Sequence, residues 1–232
     1  DESRVEMEPD QPPEGALVRR VYDPCTHYPR FVGLSENERI LDCVEQLIGP
    51  DIIFESSKVN MKPPQIGSVV EWHQDGAYGV LTNLDNLAVL MYMDDADRSN
   101  GCTQVIPGLH KEPLLDHSSN GYFTGKVTEV LDTSKAVPIE GNAGTLIFLH
   151  SMVPHSSLVN KSNRSRRTVI WGYRAAHAYP IYTGQVGSNN LDRLVRGSWL
   201  DYVRFEEMER VVPRYPEGAS SLYQIQERSR TS

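Results

Sequence analysis

The stretch Gly144-Thr145-Leu146-Ile147-Phe148-Leu149-His150-Ser151-Met152-Val153-Pro154-His155-Ser156-Ser157 runs on through Asn160, Ser162, Arg166 and Arg167 into Thr168-Val169-Ile170-Trp171-Gly172-Tyr173. Its apolar, β-branched and aromatic runs predict neighbouring strands. The polar residues 160–165 predict the turn between them. A hairpin brings its arms together, so Arg166 is expected within one layer of His155. Alternation puts Arg166 and Arg167 on opposite faces, so only one of them points inward. An inward Arg suits a carboxylate, because its planar fork meets one bidentately and keeps its charge.

Earlier the chain reads Trp72-His73-Gln74-Asp75. In a strand over residues 69–75, positions i and i+2 share a face, so His73 and Asp75 project together while Trp72 and Gln74 face the other way. A second imidazole from a distant strand completes a two-histidine, one-carboxylate set. That set covers one face of an octahedral metal and leaves positions open, which suits non-haem Fe(II) and oxygen. Taken singly, His73 is more often a hydrogen-bonded histidine and Asp75 a turn acceptor before Gly76; only the combination makes them ligands. His150 competes with His155 for the second imidazole.

With Asn100-Gly101-Cys102-Thr103-Gln104-Val105-Ile106-Pro107-Gly108-Leu109-His110, these segments resemble the phytanoyl-CoA dioxygenase family over residues 50–175. The family usually has Ser where Leu109 stands. The resemblance implies a mainly-β double-stranded β-helix (a cupin-like jelly roll) with flanking α-helices. It implies Fe(II) held by His73, Asp75 and His155, the spacing to Asn160 and Arg166 favouring His155 over His150. His150 then serves near the site as a hydrogen-bonding or core residue. It also implies 2-oxoglutarate with its C5 carboxylate on Arg166, O2 as oxidant, and release of succinate and CO2. The implied outcome is oxidation, by default hydroxylation, of an unactivated C–H in a small organic substrate. Asp75 stands where related halogenases carry a small residue, which argues against halogenation. Thr103 is expected to donate its hydroxyl to the same carboxylate or merely to begin a strand. Lys62 is expected at the mouth of the site or as a solvated edge charge, and Asn60 and Gln74 as lining residues. A cupin-like isomerase or hydrolase, or a metal-binding module without catalysis, is the alternative. The first does not need a buried Arg at this spacing, and the second would be favoured by a missing ligand, whereas none is missing.

Composition agrees with this class. The chain has 232 residues, 39% hydrophobic and 23% charged, enough for one domain with a real core over 1–232. No apolar run is long enough to span a membrane. The net charge of -8 argues against nucleic acid as a partner and leaves a small-molecule substrate. Three cysteines without CxxC spacing fit a reducing, cytoplasmic setting. The charged start Asp1-Glu2-Ser3-Arg4 predicts no signal peptide, and the missing initiator Met a trimmed chain. Oligomeric state is not legible.

Around the core, residues 1–30, rich in Pro and charge, read as irregular with room for a short strand. Ser35-Glu36-Asn37-Glu38 reads as a capping box, and Ile40, Leu41, Val44, Leu47 and Ile48 follow at helical spacing until Gly49-Pro50. Residues 111–135 form a polar insertion expected to act as a lid. The C-terminal extension 176–232 carries a helical expectation over 191–205, with Arg193 on a solvated face. Trp72 and Trp171 are expected to be core aromatics, and Tyr78 and Tyr92 to pack beneath a substrate cavity rather than line it. His27, His110, His117 and His177 are expected to be surface or locally bonded groups.

Overall fold

The computed structural model describes residues 4–8, 11–13, 15–182, 192–218 and 224–226. Strands β1 (Val5–Met7) and β2 (Val18–Tyr22) precede helices α1 (Pro24–His27), α2 (Pro29–Ser35) and α3 (Glu38–Ile48). Then come β3 (Ile52–Lys62), β4 (Val70–His73), β5 (Val80–Leu81), β6 (Asn86–Tyr92) and β7 (Thr103–Val105). The short β8 (Ser118–Ser119), β9 (Tyr122–Phe123) and β10 (Val137–Pro138) lead to β11 (Leu146–His150), β12 (His155–Ser157) and β13 (Arg166–Ala175). β14 (Pro180–Tyr182) and β15 (Arg193–Arg196) complete the described strands.

The larger sheet runs β1-β2-β3-β13-β6-β11, with β15 also on β3, and the smaller runs β10-β7-β12-β4. Pairing in both is antiparallel. This is the expected mainly-β jelly roll, and alternation explains how it closes. On β6, Ala88, Leu90 and Tyr92 turn inward and meet Ile147 and Leu149 of β11, Cys102 and Val105. The opposite faces send Val89, Val169, Trp171 and Tyr173 outward onto Ile40, Leu41, Val44 and Ile48 of α3. So the helix packs outside the barrel and covers one face of the larger sheet. Trp171 is fully buried in that layer. Trp171→Ala is expected to cost roughly 3–5 kcal/mol in denaturant unfolding; a loss near zero would show that the layer is not where the chain stores its stability.

β3 departs from strict alternation at one place. Its register against β13 runs Gly172 to Ser56 and then Tyr173 to Phe54, so Glu55 is an extra residue, a β-bulge. Phe54 thus joins Tyr173 in the helix-side layer, with ring centroids 5.9 Å apart. Glu55 and Ser56 both reach the inner face, where they line a cavity.

Several local expectations are corrected. The N-cap of α3 is Asn37, whose side chain accepts from the Arg39 N–H, while Ser35 closes α2 and donates to Val32 O. Residues 1–30 hold β1, β2 and α1, because β2 finds a partner in β3. Over 192–205 the chain is not helical: β15 lies along β3, and Arg193 sits over the Phe54 ring and pairs with Glu36. Leu191 lies outside the described residues. No helix among the described residues is long and apolar enough to cross a membrane.

Candidate active site

β4 ends at His73, Gln74 keeps extended angles, and Asp75 opens a 3-10 turn, so the expected strand through Asp75 stops two residues short. The turn still carries the carboxylate back. His73 and His155 are cross-strand partners on β4 and β12, their rings 4.1 Å apart. Nε2 of each lies 3.9 Å from Asp75 Oδ1. One donor atom from each of the three residues falls within 4.8 Å of the others.

Both imidazoles are oriented in the same way. Nδ1 of His73 meets Glu71 O at 2.7 Å, and Nδ1 of His155 meets Val153 O at 3.0 Å. A carbonyl only accepts, so each Nδ1 must donate, and in the neutral ring Nε2, the atom turned toward the Asp75 oxygen, carries the lone pair. Burial, then the neighbouring His155, holds the His73 imidazole well below its usual pKa. Burial pushes Asp75 up, but His155, Lys58 and His73 together pull its carboxyl below the usual value. Two imidazole nitrogens and a carboxylate brought this close are a donor set that a cation would join. The donor set therefore fits iron(II) and leaves coordination positions free.

The set stands where two cavities meet. His73, Asp75 and Lys58 line both; His155 lines only the smaller one, with Arg166, Lys62 and Thr103. Arg166 is buried at 3% exposure, and no carboxylate pairs with it among the described residues. Its Nε and Nη2 donate to Gly101 O at 3.1 and 2.7 Å, and Nη1 donates to Thr168 Oγ1 at 2.7 Å. Lys62 is equally buried and donates to Ser68 O; burial first, then Arg166 and Arg19, drives its pKa well down. A buried guanidinium beside a buried amine, without a matching anion, is a site made for one. Arg167, on the other face, is exposed and paired with Asp94.

The phytanoyl-CoA dioxygenase family model matches residues 6–168. The chain belongs to the phytanoyl-CoA dioxygenase family. Within it, the chain is 33% identical over 208 residues to a probable alpha-ketoglutarate-dependent hypophosphite dioxygenase of Stutzerimonas stutzeri, covering 86% of this chain and 72% of that protein. It is 28% identical over 158 residues to a 2-aminoethylphosphonate dioxygenase of the uncultured bacterium HF130_AEPn_1, covering 68% and 59%. The chain thus spans between about three-fifths and three-quarters of these relatives. Among solved structures, EctD from S. alaskensis with 2-oxoglutarate and 5-hydroxyectoine superposes with a TM-score of 0.69 at 20% identity, covering 87% of this chain and 72% of that one. That likeness concerns the fold.

The Asn-Gly motif of this family member acquires a physical role. Asn100 bonds Asp97 N and Asp95 O and so fixes a tight turn. Gly101 leaves that turn at φ +77, and its carbonyl holds the Arg166 fork. A Cβ there would run into Leu158 O. Gly101→Ala is expected to cost roughly 2–4 kcal/mol from the left-handed backbone and the clash together. A melting curve gives the stability loss, and co-substrate affinity should weaken with it; an unchanged Arg166 site would show the carbonyl to be dispensable. Asn160 ties the β12–β13 turn to β3, donating to Lys62 O at 2.9 Å and Arg164 O at 2.6 Å.

The remaining site expectations divide. Thr103 and Asn60 line the smaller cavity, Asn60 Oδ1 accepting from Arg20 Nε at 2.7 Å. Gln74 is corrected: it lines neither cavity. It is fully buried on the opposite face, donating to Met152 O and accepting from Leu115 N. His150 stands on β11, its Nδ1 accepting from Met152 N, away from the ligand set. His117 is buried rather than superficial and accepts the Gln74 N–H. Tyr78 is also corrected, because it lines the larger cavity edge-on to His73. The 111–135 insertion contributes no lining residue. Phe123 anchors it in a separate cluster with Ala77, Tyr215 and Ile225, so it packs beside the site.

Sequence reasoning missed Lys58, Arg20, Glu55, Asp192 and Arg210, which line the larger cavity. Lys58 had a signal: Lys58, Asn60 and Lys62 alternate on one face of β3.

Proposed function

We propose that this chain is an iron(II)- and 2-oxoglutarate-dependent dioxygenase acting on a small anionic substrate, with a phosphorus oxyanion as the preferred class. The observation that carries the reading is the convergence of His73, His155 and Asp75 between a cavity with an unmatched buried Arg166 and a larger one of about 280 Å³. Bound iron would couple oxidative decarboxylation of 2-oxoglutarate, giving succinate and CO2, to oxidation of a substrate C–H or P–H bond by O2.

The chain's own residues do the rest. His73 and His155 present Nε2, since Nδ1 of each is committed to a backbone carbonyl, and Asp75 supplies the charge. Arg166 receives the distal carboxylate of 2-oxoglutarate, with Lys62, Thr103 and Asn60 around it. On the substrate side, half-buried Lys58 makes no hydrogen bond among the described residues and faces Asp75. Arg210 reaches over the same turn, donating to Gly76 O, and no carboxylate among the described residues pairs with it. These two cations are placed to hold a substrate anion beside the ligand set. Both similar proteins named above act on phosphorus oxyanions, which supports that class.

The deciding experiment is anaerobic titration of the intact chain with Fe(II) and 2-oxoglutarate, followed by a succinate screen with hypophosphite, alkylphosphonates and carboxylate analogues. A weak visible charge-transfer band and substrate-dependent succinate are expected. Metal binding without the band would sink the 2-oxoglutarate reading.

A further inference from the structure

The larger cavity is charged at both ends, with opposite signs. Lys58 and Arg210 stand at the ligand-set end. Arg20 also lines it but is already matched, 3.5 Å from Glu6 and bonded to Asn60 and Tyr22. Toward the other end the β3 bulge delivers Glu55. Three residues of strand separate it from Lys58, about 10 Å of travel. Glu55 Oε1 lies 3.1 Å from Arg174 Nε, and Arg174 Nη2 holds Asp192 Oδ2 at 2.6 Å. Arg174 is buried and spends Nη1 on Ala178 O at 2.9 Å. Its Nε is left without an aligned hydrogen-bond acceptor, so the Glu55 contact is close but poorly directed.

The charge count at this end does not balance. One guanidinium faces two carboxylates, and both carboxylates line the cavity, as does a third from Asp23. Burial pushes the Glu55 carboxyl up to about 7 against the pull of Arg174, and Asp192 adds to the push. A cation arriving from the cavity would restore the ionised form. Gly172 stands opposite Ser56 in the register and keeps this part of the wall free of bulk.

We propose that Glu55 and Asp192 form a subsite for the ammonium group of the substrate, so that the chain selects zwitterions with an anion at Lys58 and Arg210 and a protonated amine at the bulge. This rests on reading the larger cavity as the substrate site. It adds a specificity determinant on β3 that the metal-ligand pattern does not contain.

The test uses matched probes on the full chain without metal, so that binding is read separately from turnover. One pair is 2-aminoethylphosphonate and propylphosphonate; the other is β-alanine and butanoate. Within each pair a methyl replaces the ammonium at nearly constant size. Calorimetry or ligand-detected NMR on the intact chain should give roughly tenfold or greater preference for the amine in at least one pair. Glu55→Gln should reduce that preference to about twofold by weakening the amine alone. Asp192→Asn, on a partly exposed side chain, should do the same if Glu55→Gln fails to fold. No amine preference in either pair, or equal weakening of both members in the variants, overturns the subsite. Missing charge-transfer and succinate signals with the amine preference intact would sink the dioxygenase reading and leave the subsite standing.

Discussion

In the His155→Ala chain, iron(II) retention should be lost and succinate formation should fall by on the order of 10³-fold or more. Removing a hydrogen-bond partner of a metal ligand commonly costs 10–100-fold, and removing the ligand itself should cost more. His155 comes from β12, which is held on both sides by β7 and β4, so the strand should survive loss of one imidazole. A melting temperature within a few degrees of the intact chain is the control. His150 cannot substitute, because it stands on β11 with Nδ1 engaged by the Met152 N–H. Iron binding assayed by equilibrium dialysis, alongside succinate release, decides the matter. Activity within tenfold of the intact chain would mean that His155 is not a ligand.

Arg166→Ala should act on the other cavity and leave the metal in place. Truncating one member of a buried, hydrogen-bonded charge pair costs roughly 2–5 kcal/mol, so the KM for 2-oxoglutarate should rise by about 30-fold to several thousand-fold. Stability should move in an unusual way. Without co-substrate the guanidinium is buried with no carboxylate, a costly state that its bonds to Gly101 and Thr168 only partly offset. Removing it should therefore change the unliganded melting temperature little, while the stabilisation that 2-oxoglutarate gives the intact chain disappears. Arg166→Lys should recover part of the affinity, since a point charge cannot reproduce the fork. A KM within threefold of the intact value would remove Arg166 from the co-substrate site.

What the sequence revealed, and what it hid, follows from the range over which each feature is determined. The strands around Trp171 were legible because period-two alternation is local. The set of His73, Asp75, His155 and Arg166 was legible because a strand pair and a hairpin fix relative positions from spacing alone. Asp75 lies outside the strand that suggested it, yet its turn delivers the carboxylate to the same point. Alternation placed Gln74 correctly, facing away from His73; only its grouping with the site, against that parity, was wrong. The cavity wall was hidden. Tyr78 and Arg210 from irregular segments and Tyr182 from the end of the short β14 converge from far apart in sequence, where no periodicity marks a common face. Residues 111–135 read as a polar insertion with Tyr122 and Phe123; what spacing did not show is that Phe123 packs with Ala77, Tyr215 and Ile225, residues distant in sequence. The helical expectation over 191–205 failed because β15 is stabilised by pairing with β3, a partner well over a hundred residues away.

β3 carries Lys62 and Asn60 beside the smaller cavity, Lys58 at the junction, and Ser56 and Glu55 in the larger cavity. The bulge lies between the last of these and the rest of the strand, and the ladder with β13 holds the two stretches independently. Shortening the strand by one residue at Glu55 would restore simple alternation while leaving positions 58–62 untouched. The same ribbon thus divides into a half bound to the ligand set and a replaceable half, a modular layout in which new substrate preferences can arise by insertion or deletion without disturbing the oxidative machinery.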